Sequence, residues 1–438
     1  MAAVTAPLPT IRGVTVRAAI VVTGTEVLTG RVTDRNGPWL AEAFRQVGVD
    51  VAEIVVVGDR PEDLRSTLAF LTSSGVDLVV TSGGLGPTAD DLTAVVVGDF
   101  QGRPSELDAA LEQRITDIVA RLAAGRGWRM DPQVTAVATR KQAMVPRGAT
   151  VLEPVGTAPG LVVPPVEGDG PAVVVLPGPP RELQGMWPAV LQDATVRAVL
   201  AAASELRQST VRMWGTPESE IAATLRDHDA ELGGLEITTC LRDGGELEVV
   251  TRYGPPLQPA YDAFVALLVH DYPRTVFSPD GATLDDLVVD GLKARGWTLG
   301  VGESCTGGLL TGRLSERAGS SSFLQGGTVA YSNNAKTALL DVAPDLFEGV
   351  GAVSAEVAEA MAVGARSRFA ADVGLGVTGI AGPDGGTEDK PVGLVHLAVV
   401  TPDRTLARRI TIPGNRADIR SRAVSTALHL LLDVLREA

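Results

Sequence analysis

Of the 38 basic residues in this 438-residue chain, four are lysines: Lys141, Lys293, Lys336 and Lys390. Arginine stays charged in proteins, whereas a lysine amine can lose its proton and act as a base. A chain this biased toward arginine keeps lysine either by chance or where an uncharged amine is needed. Lys336 closes the run Tyr331-Ser332-Asn333-Asn334-Ala335-Lys336, downstream of Gly302-Glu303-Ser304-Cys305-Thr306-Gly307-Gly308 and Gly319-Ser320-Ser321-Ser322-Phe323. A serine hydroxyl attacks only if something accepts its proton. The chain has no G-x-S-x-G elbow, no H-E-x-x-H and no G-x-x-x-x-G-K-[ST]. Its four histidines include His396 and His429, which fall in apolar patterns and read as core residues. A lysine whose pKa is lowered by burial is then the available base, and Tyr331, five residues earlier, can relay or orient. On spacing alone Ser320, Ser321 and Ser322 are equivalent nucleophiles, and helix capping is the structural role each would otherwise have. Cys305 is a rival nucleophile, but without a histidine beside it a buried structural thiol is expected.

Two further stretches offer contacts for a substrate. Thr378-Gly379-Ile380-Ala381-Gly382-Pro383 follows an apolar run and can present backbone donors to a phosphate or an oxyanion. Gly374-x-Gly376-x-x-Gly379 matches a dinucleotide fingerprint formally, but its first glycines lie inside the strand, so that reading fails. Arg416, in Pro413-Gly414-Asn415-Arg416 before the last helix, can clamp a phosphate. In the N-terminal half, Thr81-Ser82-Gly83-Gly84-Leu85-Gly86-Pro87-Thr88-Ala89-Asp90-Asp91-Leu92-Thr93 stands where a parallel strand hands over to a helix. Gly83, Gly84, Gly86 and Thr88 can cradle an anion there. Asp90 and Asp91 then either hold a divalent cation that bridges phosphates or cap the helix that follows.

These groups must be positioned by strands and helices that alternate. From Val14 to Pro180 the pattern predicts strands at Val16–Thr23, Val51–Val57, Asp77–Thr81 and Ala172–Leu176. Helices lie between them: one capped by Asn36, one opened by Pro61 and one starting at Asp91. Residues 181–278 read as a small α+β module with a hairpin turn at Arg242-Asp243-Gly244-Gly245. Residues 283–438 return to α/β, with strands expected at Thr298–Val301, Thr328–Tyr331, Val373–Val377 and Leu394–Val400. The fold class is α/β: an N-terminal domain (14–180) built on a mostly parallel sheet, a small connector, and a C-terminal α/β domain.

Composition bounds the function. A net charge of −15, from 53 acidic and 38 basic residues, argues against nucleic-acid binding, which needs a basic field. Hydrophobic residues at 45% support ordinary cores. Two distant cysteines, Cys240 and Cys305, match no metal spacing and suit a reducing compartment. No apolar run reaches the length of a membrane span, and a cytoplasmic protein is expected.

The chain resembles the CinA family. Gly24-Thr25-Glu26-Val27-Leu28-Thr29-Gly30, Asp34-Arg35-Asn36, Gly58-Asp59, the Gly83–Thr93 run, Lys141-Gln142-Ala143-Met144, Gly156-Thr157-Ala158-Pro159-Gly160 and Pro177-Gly178-Pro179-Pro180-Arg181-Glu182 look like its molybdopterin-binding-like N-terminal domain. The four C-terminal stretches look like its nicotinamide mononucleotide deamidase domain. The resemblance implies hydrolysis of nicotinamide mononucleotide to nicotinic acid mononucleotide and ammonia, without a cofactor. By motif, Ser321 is the nucleophile, Lys336 the general base, and Tyr331 and Ser304 assist. Thr378, Gly379 and Gly382 lie against the substrate and Arg416 holds its phosphate. For the N-terminal domain it implies an ADP-ribose pyrophosphatase dependent on a Mg²⁺, Mn²⁺ or Co²⁺ type ion at Asp90 and Asp91, with molybdopterin as the other candidate ligand. Both reactions belong to pyridine-nucleotide salvage. The family also implies a homodimer, and its name suggests a competence-related regulatory role with inactive sites as the alternative.

Overall fold

The computed structural model describes residues 16–166 and 170–437. The expected domain start at Val14 and the terminal Ala438 lie outside the described residues. The chain forms two compact units. The first runs to Gln208 and adds Gly234–Glu236 and Arg252–Pro259, and the second holds the remainder.

The principal strands and helices of the first unit, in chain order, are β1 (Arg17–Thr23), α1 (Asn36–Gln46), β2 (Asp50–Val57), α2 (Pro61–Ser73), β3 (Leu78–Ser82), α3 (Thr93–Phe100), α4 (Ala109–Arg126), α5 (Pro132–Gln142), β4 (Thr150–Leu152), β5 (Gly160–Val163), β6 (Ala172–Leu176) and α6 (Pro180–Val190). The sheet order is β2-β1-β3-β6-β5-β4. The first four strands are parallel; β5 pairs antiparallel with β6, and β4 antiparallel with β5. Side chains alternate between two cores: Ala18, Ile20 and Val22 of β1 enter one, and Ala19 and Val21 the other. That explains why the parallel strands read as unbroken apolar runs.

Two expectations are corrected. Asn36 does not cap α1; it lies inside the helix, and Asp34 Oδ1 accepts from the Asn36 (2.8 Å) and Gly37 (3.1 Å) amides instead. The helix predicted from Asp91 begins at Thr93, because the Asp91 carboxylate is turned back onto Thr88.

The second unit contains β7 (Arg207–Trp214), α7 (Glu218–Asp227), β8 (Glu236–Leu241), β9 (Glu246–Tyr253), α8 (Gln258–Asp271) and β10 (Val276–Ser278), apart from the few residues assigned to the first unit. These strands form a sheet in the order β8-β9-β7-β10. There follow α9 (Leu284–Arg295), β11 (Leu299–Glu303), α10 (Leu309–Ser315), β12 (Leu324–Val329), α11 (Asn333–Leu340), α12 (Ala355–Arg368), β13 (Val373–Gly379), β14 (Leu394–Val400), β15 (Thr405–Thr411) and α13 (Arg416–Glu437). Their sheet runs β12-β11-β13-β14-β15, parallel from β12 to β13 and antiparallel beyond.

The formal fingerprint glycines serve packing. A Cβ on Gly374 would stand 1.9 Å from the Ala362 carbonyl oxygen and one on Gly376 2.2 Å from that of Ala358, so α12 lies directly on the sheet backbone. The strand expected at Thr328–Tyr331 lies earlier, at Leu324–Val329, and Tyr331 follows its end. Two adjacent glycines, Gly326 and Gly327, hide it in the sequence. No helix of the described residues is long and apolar enough to cross a membrane.

His429 of α13 is a core residue. Its ring stacks on Trp214 (4.1 Å between centroids) and meets Phe277 edge-on (4.8 Å), with Glu246 3.9 Å away. Burial, with Arg313, Arg408 and Arg436 adding repulsion, pushes its pKa down to about 3. Below the unfolded value the denatured chain takes up a proton that the native state refuses, so this group lowers stability as pH falls from about 6.5 toward 3. His429→Phe is expected to flatten the acid-side decline of the urea midpoint, by up to about 1.4 kcal/mol per pH unit. Parallel declines in both proteins would show that the imidazole is not held neutral.

Candidate active site

In the first unit, β1 has neighbours reached by connections running in opposite directions, so the carboxyl ends of β1 and β3 flank a switch-point crevice. Gly83 and Gly84 line it with φ of +112° and +66°. A Cβ on Gly83 would stand 2.4 Å from the Thr23 carbonyl oxygen, and one on Gly84 2.0 Å from Thr93 Oγ1. Behind the loop, buried Asn36 donates to Ser82 Oγ (2.8 Å) and to the Gly178 carbonyl (2.7 Å), tying three of the resemblance motifs together. Thr25 donates from its amide (2.8 Å) and hydroxyl (2.9 Å) to Asp59 Oδ2.

Asp90 and Asp91 both accept from the Thr88 hydroxyl, and Asp91 also accepts from its amide at 2.9 Å. The Thr88 hydrogen bond holds the Asp90 carboxyl below its ordinary value. Lys141 donates to the Thr88 carbonyl; burial lowers its pKa while the two aspartates oppose that shift. Gly86 is necessary beside them, since a Cβ there would meet Asp91 Oδ2 at 2.5 Å. Among the described residues no group of three or more His, Cys, Asp or Glu is arranged to hold a metal. Two carboxylates fit a cation that arrives on phosphates and do not fit a resident metal centre.

In the second unit the carboxyl ends of β11, β12 and β13 gather the other candidates. Glu303, at the end of β11, is fully buried. Its carboxylate accepts from the amides of Gly308 (2.9 Å), Leu310 (3.1 Å) and Thr311 (2.8 Å) and from the Thr311 hydroxyl (2.6 Å). From the other side Arg420 of α13 donates to the carbonyls of Cys305 (3.1 Å) and Thr306 (2.8 Å). The loop carrying Ser304 and Cys305 is thus held at both ends. Ser304 is buried, with its amide on the Val377 carbonyl at 3.0 Å.

Lys336 is 2% exposed and donates to the Tyr331 carbonyl at 3.1 Å. Among the described residues it forms no ion pair, and burial lowers its pKa below the ordinary lysine value. Cys305 is buried, and desolvation pushes its thiol up to about 11, so it is protonated at neutral pH and is no rival nucleophile. Exposed Arg416 donates to the Tyr331 hydroxyl (2.6 Å) and the Gly382 carbonyl (2.6 Å), linking three predicted residues. Gly379 packs on Cys305, where a Cβ would lie 3.1 Å from the sulfur. The Thr378 side chain is buried and its hydroxyl donates to the Ala352 carbonyl at 2.8 Å.

Ser321 is not brought to this cluster. It lies in a single turn at Ser320–Ser322, before the start of β12, whereas Tyr331 and Lys336 follow the end of that strand. Six strand residues rising about 3.3 Å each put roughly 20 Å between the two ends. Ser321 and Ser322 are exposed.

Sequence reasoning missed Glu303 and Arg420. A carboxylate followed by Gly-Gly at a helix start is a capping signal for the first, and the spacing Arg416–Arg420, one helical turn, is a signal for the second. Lys390 also proves structural: its ammonium donates to the carbonyls of Val350 (2.6 Å) and Val353 (2.8 Å).

Comparison with known proteins agrees with this division. Residues 281–435 match the family model described as "CinA C-terminal domain" and residues 19–197 the one described as "Probable molybdopterin binding domain". A CinA-like protein of Mycobacterium sp. (strain JLS) is 54% identical over 425 residues, 96% of this chain and 99% of that one. The chain belongs to the CinA-like protein family. A CinA-like protein of Mycobacterium tuberculosis is 51% identical over 425 residues, covering 95% and 97% of the two chains. The solved structure of a competence-damaged protein (CinA) superfamily member from Klebsiella pneumoniae is 32% identical and covers 35% of this chain and 97% of its own, with a TM-score of 0.35.

Because the Lys336 ammonium is desolvated without a carboxylate partner, it opposes folding at every pH below its ordinary titration range. Lys336→Met is therefore expected to raise the thermal midpoint at pH 7 and to leave it nearly unchanged near pH 10. A lower midpoint at pH 7 would mean that the bond to the Tyr331 carbonyl outweighs desolvation.

Proposed function

We propose that the C-terminal domain hydrolyses the carboxamide of nicotinamide mononucleotide to nicotinic acid mononucleotide and ammonia. The observation that carries this reading is the buried, uncompensated amine of Lys336 at a strand-end cluster with Tyr331 and Arg416. An amine whose pKa burial lowers holds more of the neutral form that a general base needs. It takes the proton of a serine hydroxyl as the oxygen attacks the carboxamide carbon. Backbone amides of the glycine loops stabilise the oxyanion. Lys336 returns the proton to the departing nitrogen, which leaves as ammonia, and then deprotonates the water that releases the acid and restores the serine. The resemblance names Ser321 as that serine, but its distance from Lys336 favours Ser304, buried in the loop at the end of β11, with Tyr331 assisting and Arg416 on the phosphate. No step calls for a cofactor.

The test is ammonia release from nicotinamide mononucleotide without added metal. Lys336→Met is expected to lower kcat by about 10²–10⁴-fold. Arg416→Ala is expected to act mainly on KM, since the phosphate lies away from the reacting bond. The rate should rise with pH as Lys336 deprotonates and level off below the ordinary lysine value of 10.5. A wild type that releases no ammonia overturns the reading.

For the N-terminal domain the specific observation is the Gly83–Gly84 loop at the β1/β3 switch point, with Asp90, Asp91 and Lys141 around Thr88. It supports a phosphate-bearing ligand, and we favour ADP-ribose, cleaved at its pyrophosphate. A Mg²⁺-type ion held by Asp90, Asp91 and the ligand's phosphates would supply charge neutralisation there. Calorimetric titration with ADP-ribose and magnesium is expected to give a binding isotherm that Asp90→Asn/Asp91→Asn weakens. Preferential binding of molybdopterin would replace this assignment.

A further inference from the structure

The end of β13 and its connection to β14 carry three residues expected against the substrate, Thr378, Gly379 and Gly382, and the Gly382 carbonyl accepts from Arg416 at 2.6 Å. We propose that Lys390 is a positioning residue for the amidase site. Its ammonium clasps this connection to the segment 350–353, and so sets the affinity for nicotinamide mononucleotide rather than the rate of the bond-breaking step. This inference rests on the amidase reading.

The connection needs such a clasp. Its residues 383–389, Pro-Asp-Gly-Gly-Thr-Glu-Asp, are all exposed. A stretch with adjacent glycines and no buried side chain loses much chain entropy when it is fixed. Contacts on either side of it offset that cost. At the root the Thr378 hydroxyl donates to the Ala352 carbonyl at 2.8 Å. Beyond the exposed stretch the Lys390 ammonium donates to the carbonyls of Val350 (2.6 Å) and Val353 (2.8 Å). All three carbonyls belong to the segment that leads into α12, whose first turn Ser354 caps at 3.2 Å. Gly351, with φ of +77°, leaves the space, since a Cβ there would stand 3.1 Å from Lys390 Nζ. An ammonium turns three donors from one point toward converging carbonyls, which the wider, planar guanidinium cannot copy. That accounts for a lysine at this position in a chain that strongly prefers arginine.

The clasp reaches the substrate contacts through a short, stiff path. The Thr387 amide donates to the Lys390 carbonyl at 2.8 Å and the Lys390 amide to Thr387 Oγ1 at 3.1 Å, closing the turn on which the side chain stands. Pro391 follows, with its φ fixed by the ring. Val392 then packs on Gly382, where a Cβ would stand 2.6 Å from Val392 Cγ1. Gly382 holds Arg416, and Arg416 holds the Tyr331 hydroxyl at 2.6 Å. The reacting groups are anchored separately: the Ser304 loop by Glu303 and Arg420, and Lys336 by the Tyr331 carbonyl. Loss of the clasp therefore loosens what binds the nucleotide and leaves the serine and the base in place.

The test is ammonia release by full-length Lys390→Met beside the wild type, over a range of nicotinamide mononucleotide concentrations. KM is expected to rise about tenfold while kcat stays within about threefold. An unchanged KM overturns the proposal, whether kcat holds or falls, because a loss of folded enzyme alone lowers kcat and leaves KM as it was. If Lys390→Met does not fold, Lys390→Arg carries the same expectation, since its fork cannot meet both carbonyls. A readout independent of activity is amide hydrogen exchange across 344–354 and 380–393. In the variant both stretches should exchange about tenfold faster, the order expected when a charged donor is lost. Unchanged exchange overturns the clasp. If the wild type releases no ammonia, the amidase reading fails on its own, and the exchange still decides whether Lys390 ties the two stretches together.

Discussion

The C-terminal half depends on one buried carboxylate. Glu303 ends β11 without any exposure and takes four hydrogen bonds from the turn that follows, three of them from amides at the start of α10. A buried charge survives only when its lone pairs are filled, and a helix start has amides without internal partners. Each need meets the other. The consequence is a loop whose Ser304 and Cys305 are fixed between strand and helix, with Arg420 holding their carbonyl side. Tyr331, Lys336, Arg416 and Gly382 assemble against that fixed rim.

Both units use the same physical device for different chemistry. Parallel strands end together, and glycines let the backbone approach where a side chain would collide. In the first unit the crevice is ringed by Thr88, Asp90, Asp91 and Lys141, two carboxylates and one amine, a net negative set. In the second the lysine has no counter-ion among the described residues and burial favours its neutral form. Burial lowers the pKa of both amines, and only beside Lys141 do carboxylates oppose the shift.

Much of the fold was legible because helices and buried parallel strands differ in period and length. Strands such as Ala172–Leu176 and Leu394–Val400 were found at their observed bounds. The failures have particular causes. Gly326-Gly327 erased the apolar signal of β12, since its side-chain space is filled by Thr311 and Phe369 from elsewhere in the chain. The short antiparallel strands β4 and β5 fell below the length at which periodicity speaks. Asn36 and Asp91 carried correct capping chemistry but were drawn to longer-range or turn partners.

The sequence by itself determined the family, the α/β class and the candidate chemistry, because motif spacing, hydrophobic period and the scarcity of lysine are local properties. It also marked Lys336 as the candidate base. Only the tertiary structure decided that this amine is buried without a carboxylate and that Cys305 is held as a protonated thiol. It alone separated Ser321 from Lys336 by the length of a strand. Desolvation and distance arise from elements far apart in the chain, and no linear spacing records them.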